Sequence, residues 1–181
     1  MDAASAIREY GYAALVIGTF FEGEAVLAFG GFAAHQGHLR FAWVMFFGAL
    51  GVFCSDQFCF FLGRYFGQWV LRRFPAMHQR VATALKFLER YPNWFIVGFQ
   101  FIPGASTVTP IALGISKVSL CRFLALDVLG VAVWTVAFAS AGYVFGAALS
   151  YVIQDLRRYD TWFIAVFALA LILLWRWRNR R

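Results

Sequence analysis

Glu22 and Glu24 stand two residues apart in Phe20-Phe21-Glu22-Gly23-Glu24-Ala25-Val26-Leu27-Ala28-Phe29-Gly30-Gly31, an otherwise apolar run. An ionised carboxylate at the middle of a bilayer costs roughly 2.5–3.5 kcal/mol even on lenient insertion scales, so a pair of them requires partners, water or protons. A second polar stretch, Gln100-Phe101-Ile102-Pro103-Gly104-Ala105-Ser106-Thr107-Val108-Thr109-Pro110, has the look of a counterpart. There Gln100, Ser106, Thr107 and Thr109 form a strip able to cradle a lipid head group. Thr107 and Thr109 are equally able to satisfy carbonyls freed by the prolines, and that alternative stays open. Asp56 puts a third acid inside an apolar run; it either pairs locally or belongs to the site of the glutamates, and an intramembrane acid favours the second reading.

The elements that must hold these groups are membrane helices. The 181 residues are 62% hydrophobic, 20% aromatic and 14% charged, where a soluble domain carries about 25% charge. With a mean hydropathy of +0.68, the chain reads as one compact, all-α integral membrane domain, residues 1–181. Met1 to Ile7 has no basic lead and no small-residue cleavage site, so the first apolar segment is expected to stay in the mature protein. The net charge of +7 sits at the borders of apolar spans, as at a cytoplasmic membrane face, and nucleic acid is not an expected partner. Cys54, Cys59 and Cys121 lack metal-ligand spacing and read as packing residues. His35 and His38 lack a third fixed ligand, and neither a metal nor a cofactor is expected. Without a Ser-His-Asp grouping or a Cys-His pair in one segment, enzymatic activity is not expected either.

From Tyr10 to about Ala34 the apolar sequence is interrupted by glycines and by both glutamates, leaving two pieces of roughly a dozen residues where a crossing needs about 20. Such pieces predict a re-entrant hairpin with the glutamates near its tip. Phe41 to Gly67 is long enough to cross a tilted bilayer, at roughly 40 Å. Residues 68–91 then carry Arg72, Arg73, Arg80, Lys86 and Arg90 on one side of an apolar spacing of three and four, which predicts a basic amphipathic helix in the membrane surface, broken or started at Pro75. Anionic head groups are its expected contact, and a linker helix that simply shields the core is equally compatible. Pro103-Gly104 and Pro110 forbid a continuous helix from Pro92 to about Ile115, so a second re-entrant hairpin is expected. Ser119 to Gly146 reads as a full crossing containing Arg122 and Asp127, and residues 160–177 as a short C-terminal transmembrane helix with an aromatic and basic end.

The chain repeats itself. Residues 38–67 laid over 117–146, a shift of 79, match Leu50 with Leu129, Gly51 with Gly130, Gly63 with Gly142, Phe66 with Phe145 and Gly67 with Gly146. The same shift carried back sets Glu24 opposite Pro103. The organisation is then hairpin plus long helix in 10–67, the amphipathic helix in 68–91, and hairpin plus long helix in 92–149. Basic residues in 68–91 and at the C-terminus put both on the cytoplasmic side, so the hairpins enter from opposite faces. Inverted repeats with broken helices meeting near the midplane are a transporter architecture, and the pair of interrupted segments points to the substrate site.

Phe21-Glu22-Gly23-Glu24-Ala25-Val26-Leu27 with Gly31 and Gly37, Asp56 to Gly63-Arg64-Tyr65-Phe66-Gly67, Phe101-Ile102-Pro103-Gly104, and Arg122-Phe123 through Gly130 and Trp134 to Gly142 together resemble the bacterial DedA membrane proteins, the superfamily with VTT-domain lipid scramblases. The resemblance spans roughly residues 10–150. It implies two facing re-entrant hairpins and movement of lipids across the bacterial inner membrane, with polyprenyl phosphate or phospholipid as substrate and protons as the coupling ion. It maps the family's acidic pair onto Glu22 and Glu24. Similar proteins carry arginines where this chain has Gln100 and Ser106, and arginine supplies the bidentate grip that phosphate favours. Either Lys117 or Arg122, with Arg64 as a further head-group candidate, takes that role, or the substrate differs. Losing those cations makes a proton-carrying role for the glutamates chemically easier. The expected function is lipid transport, and the alternative is a non-transporting membrane scaffold. Gly-rich spans permit close helix contact within a chain or between copies, so a homo-oligomer is compatible.

Overall fold

The computed structural model describes residues 3–102, 104–116 and 118–156, among which there are helices and no strand. They are α1 (Ala3–Phe21), α2 (Gly23–His35), α3 (Phe41–Arg73), α4 (Pro75–Arg90), α5 (Pro92–Gly98), a 3-10 turn (Phe99–Phe101), α6 (Ala105–Ile115) and α7 (Leu120–Leu156). The expected C-terminal helix at 160–177 lies outside the described residues.

Among the described residues, two helices, Phe41–Arg73 and the Leu120–Leu149 part of α7, are long and apolar enough to cross a membrane. α3 continues past Gly67 to Arg73 because nothing in Gln68-Trp69-Val70-Leu71 opposes a helix, and Arg72 and Arg73 in its last turn suit the negative end of the helix dipole. It stops where Phe74, at φ −126° and ψ 81°, is pushed out of the helical region by the following proline. Pro75 then opens α4 at a position where its missing N–H costs nothing. The amphipathic helix therefore starts seven residues later than 68, at Pro75. It buries Val81, Ala84 and Leu88, one stripe at helical spacing, and leaves Arg80, Lys86 and Arg90 exposed.

The short helices come in two pairs, each separated by a break. α1 closes when the Glu22 N–H donates to the Gly18 carbonyl at 2.8 Å, and Glu22 itself is extended, at φ −144° and ψ 93°. At the second break the Ile102 N–H donates to the Phe99 carbonyl and the Ala105 N–H to the Ile102 carbonyl, each at 3.0 Å. Gly104 makes that turn with φ +74°, a left-handed conformation costing a residue with a Cβ about 1–2 kcal/mol. A Cβ there would meet nothing within 4 Å, so the cost is backbone strain alone. Gly104→Ala is expected to lower stability by about 1–2 kcal/mol, read as an earlier unfolding transition in detergent. α6, 11 residues long, reaches about 16 Å, half of the roughly 30 Å hydrocarbon layer.

Glycines set how closely these pieces pack. α2 lies along α7 and α6 along α3: a Cβ on Gly31 would run into the Ala139 carbonyl, on Gly142 into that of Ala28, on Gly63 into that of Ile111 and on Gly114 into that of Phe60. Gly51 and Gly130 stand likewise against the carbonyls of Val16 and Val97. Small residues of this kind let helix backbones touch where no hydrophobic force drives association. The long helices meet through Phe60 of α3 and Phe123 of α7, stacked at 4.5 Å with their planes 9° apart, beside buried Ile96, Phe99 and Leu113.

Candidate functional site

The two breaks face one cavity of about 290 Å³. The first break contributes Thr19, Phe21, Gly23 and Glu24, the second contributes Gln100, Ser106 and Thr107, α3 contributes Ser55, Asp56 and Cys59, and Trp134 of α7 forms part of the wall. Trp134 can enter because Gly23 has no side chain: a Cβ there would lie 2.9 Å from the indole ring. No Lys or Arg is among the described lining residues. Pro110, inside α6, has no N–H to return to Ser106, so the Ser106 carbonyl at the cavity loses its ladder partner.

Polar side chains behind the cavity form a chain across three segments. Gln100, 4% exposed, donates its amide N–H to a carboxylate oxygen of Asp56, 3% exposed. One residue along α3, Gln57 donates to Oδ2 of Asp127 on α7 at 2.8 Å, which sets a second buried acid close to Asp56. Asp127 is fully buried, and its Oδ1 has no hydrogen-bond partner among the described residues. A buried carboxyl oxygen left without a donor calls for a proton, water or a cation, since an ionised carboxylate only accepts hydrogen bonds.

Glu24, Asp56, Gln100, Ser106 and Thr107 are thus brought together. Glu22 sits at the same break but does not line the cavity. Thr109 and Gly104 line a different cavity on the other face of α6. Arg64 and Arg122 are both engaged elsewhere: Arg64 Nη2 donates to the Val118 carbonyl at 2.5 Å with its guanidinium 5.0 Å from the Phe60 ring, and Arg122 donates twice to Asn93 Oδ1, at 3.1 and 2.5 Å. Neither reaches the cavity. Pro103 and Lys117 lie outside the described residues. Sequence reasoning left Asp127, Gln57 and Trp134 out of the site, although the rule that singled out Asp56 applies equally to an acid inside the Ser119–Gly146 run.

The fold and this site define a helical membrane protein with a buried acidic and amide cluster between two broken helix pairs. Residues 21–144 match the VTT domain, and the chain belongs to that family, the DedA membrane proteins. It is 38% identical over 184 residues to the inner membrane protein YohD of Escherichia coli (strain K12), covering 100% of this chain and 95% of that one. It is 25% identical over 148 residues to undecaprenyl phosphate transporter A of Bacillus subtilis (strain 168), covering 78% and 75%. It is 30% identical over 159 residues to the membrane protein ML0287 of Mycobacterium leprae (strain TN), covering 84% and 70%. No solved structure matches the chain.

Proposed function

We propose that this protein moves lipid head groups across the bacterial inner membrane through the Glu24 cavity, as a flippase or scramblase. The observation that carries the reading is the convergence of Glu24 from one break with Gln100, Ser106 and Thr107 from the other, around a single cavity with Asp56. Lipid transport at the level of the family is supported by similarity to the undecaprenyl phosphate transporter, which makes polyprenyl phosphate or phospholipid the substrate to test first. Because no Lys or Arg is among the cavity's described lining residues, a phosphate passing through it would be repelled by ionised carboxylates, and protons on Glu24 and Asp56 would remove that repulsion and leave hydrogen-bond donors in its place. Protons are accordingly the proposed coupling ion.

The reading includes an inverted repeat of re-entrant hairpin plus crossing helix. Support comes from the glycine contacts: Gly63 and Gly142, matched at a shift of 79, each meet a short helix of the other half, at Ile111 and Ala28. The short helices themselves correspond at a shift of 83, Ala28 with Ile111 and Gly31 with Gly114. On that register Glu24 stands opposite Thr107 rather than Pro103, and both line the cavity. The reading puts residues 75–90 and the C-terminus on the cytoplasmic side, and the basic residues of α4 support it.

Reconstitution with fluorescent phospholipid and polyprenyl phosphate, with and without a pH gradient, tests the proposal. Glu24→Gln is expected to cut the rate at least about tenfold, the size of one lost charge-assisted contact, while Glu22→Gln leaves most of it. Equal rates for native protein and Glu24→Gln would sink the cavity as the route. The second reading, a membrane scaffold, is favoured by Gln100 and Ser106 standing where similar proteins carry arginine, and it predicts no movement of either lipid.

A further inference from the structure

We propose that the cleft between α4 and α6 is a separate binding site for the phosphate of an anionic lipid, with Arg80 as its cation. α6 presents Ser106 and Thr107 to the Glu24 cavity. Its other face, with Ala105, Val108 and Thr109, lines a second cavity of about 540 Å³ together with Arg80, Thr83 and Phe87, a volume suited to a head group and the start of its chains.

Three observations point to the occupant. Arg80 is exposed, is the cation among the described lining residues, and has no hydrogen bond, ion pair or ring partner within the described chain. Other arginines nearby are engaged: Arg73 lies over the Phe74 ring at 5.9 Å and Arg90 over the Tyr91 ring at 5.5 Å. Thr109, only 1% exposed, lines the same cavity; a guanidinium and a hydroxyl together match a phosphate's oxygens. The rim is apolar, with Phe87 52% and Ile102 48% exposed and Phe87 stacked on Phe95. The apolar stripe of α4 is already spent on α6 through Val81 and Ala84, so this rim is free to serve something outside the described residues. A free phosphate ion has no use for it, whereas a lipid's hydrocarbon does.

The site rests on the reading of α4 as a membrane-surface helix. Full-length protein in mild detergent is titrated with phosphatidylglycerol, phosphatidylcholine and inorganic phosphate, and retained lipid is read by native mass spectrometry. Native protein is expected to hold phosphatidylglycerol in preference to phosphatidylcholine, and Arg80→Gln to hold it at least about tenfold less well. Thr83→Trp, which fills the cleft and keeps the charge, is expected to lose it as well, while Arg90→Gln stays near native. Unchanged retention by Arg80→Gln overturns the site, as does an equal loss in Arg90→Gln or full retention by Thr83→Trp. Inorganic phosphate binding as tightly as the lipid would make it a free-anion site and overturn the lipid assignment. Arg80-dependent retention by a protein that moves no lipid would remove the transport proposal and leave this site standing.

Discussion

Gly142→Ala is expected to cost about 2–3 kcal/mol of stability, and Gly142→Leu to leave no folded protein. The alanine methyl would occupy the place of the Ala28 carbonyl oxygen, and a backbone oxygen inside a helix cannot rotate aside as a side chain can. α2 would have to lift from α7 along its length, taking with it the neighbouring contact at Gly31, whose own Cβ would meet the Ala139 carbonyl. Gly98→Ala supplies the control. A Cβ there meets nothing within 4 Å, its backbone is right-handed at φ −95°, and alanine in a helix gains up to about 1 kcal/mol over glycine. Unfolding in detergent and size-exclusion profiles of the three variants separate a packing role from a mere preference for small residues. Equal stability of Gly98→Ala and Gly142→Ala would mean that the helices do not approach this closely.

The same contacts explain why much of the fold was legible in the sequence. Glycines in an apolar run have little other reason to persist in register, and Gly51, Gly63 and Gly67 with Gly130, Gly142 and Gly146 each lie against a helix of another segment. The breaks were legible because Glu22-Gly23-Glu24 and Pro103-Gly104 conflict with helix in a lipid setting, by charge in one case and by backbone in the other. The continuation of α3 to Arg73 was not, since basic residues signal the membrane border without stopping a helix there. Element type followed from local chemistry, and element length from what the next residue forbids.

Side-chain direction on α6 was the hardest feature to read. Gln100, Ser106, Thr107 and Thr109 form one strip in the sequence, but at about 100° per residue Thr107 and Thr109 leave α6 about 160° apart, with Ser106 between them. Two cavities result where the sequence suggested one. Arg64 and Arg122 look equally available as charges, yet a carbonyl, a phenyl ring and an asparagine hold them. The carbonyl and the asparagine come from residues 54 and 29 positions away, and no local spacing rule reaches that far.

Gln100→Leu carries the second large effect: a loss of about 2–3 kcal/mol together with loss of lipid movement. Gln100 is the hydrogen-bond donor to the Asp56 carboxylate, both groups are nearly inaccessible, and Asp127 is a second buried acid close by, with no cation among the cavity's described lining residues. Removing the amide leaves a buried carboxyl without its donor and with an apolar side chain in the donor's place, which is the costly way to break such a pair. Replacing both members is cheaper, because the unpaired group goes too. The double variant Gln100→Leu with Asp56→Leu is therefore expected to be more stable than Gln100→Leu alone, a non-additivity that unfolding of the four proteins of a mutant cycle measures directly. Transport separates the two roles. A double variant that regains stability and still moves no lipid makes Asp56 part of the route, whereas regained stability with regained transport reduces the Gln100–Asp56 pair to a fastening between the second break and α3. Simple additivity in the cycle would contradict the hydrogen bond itself.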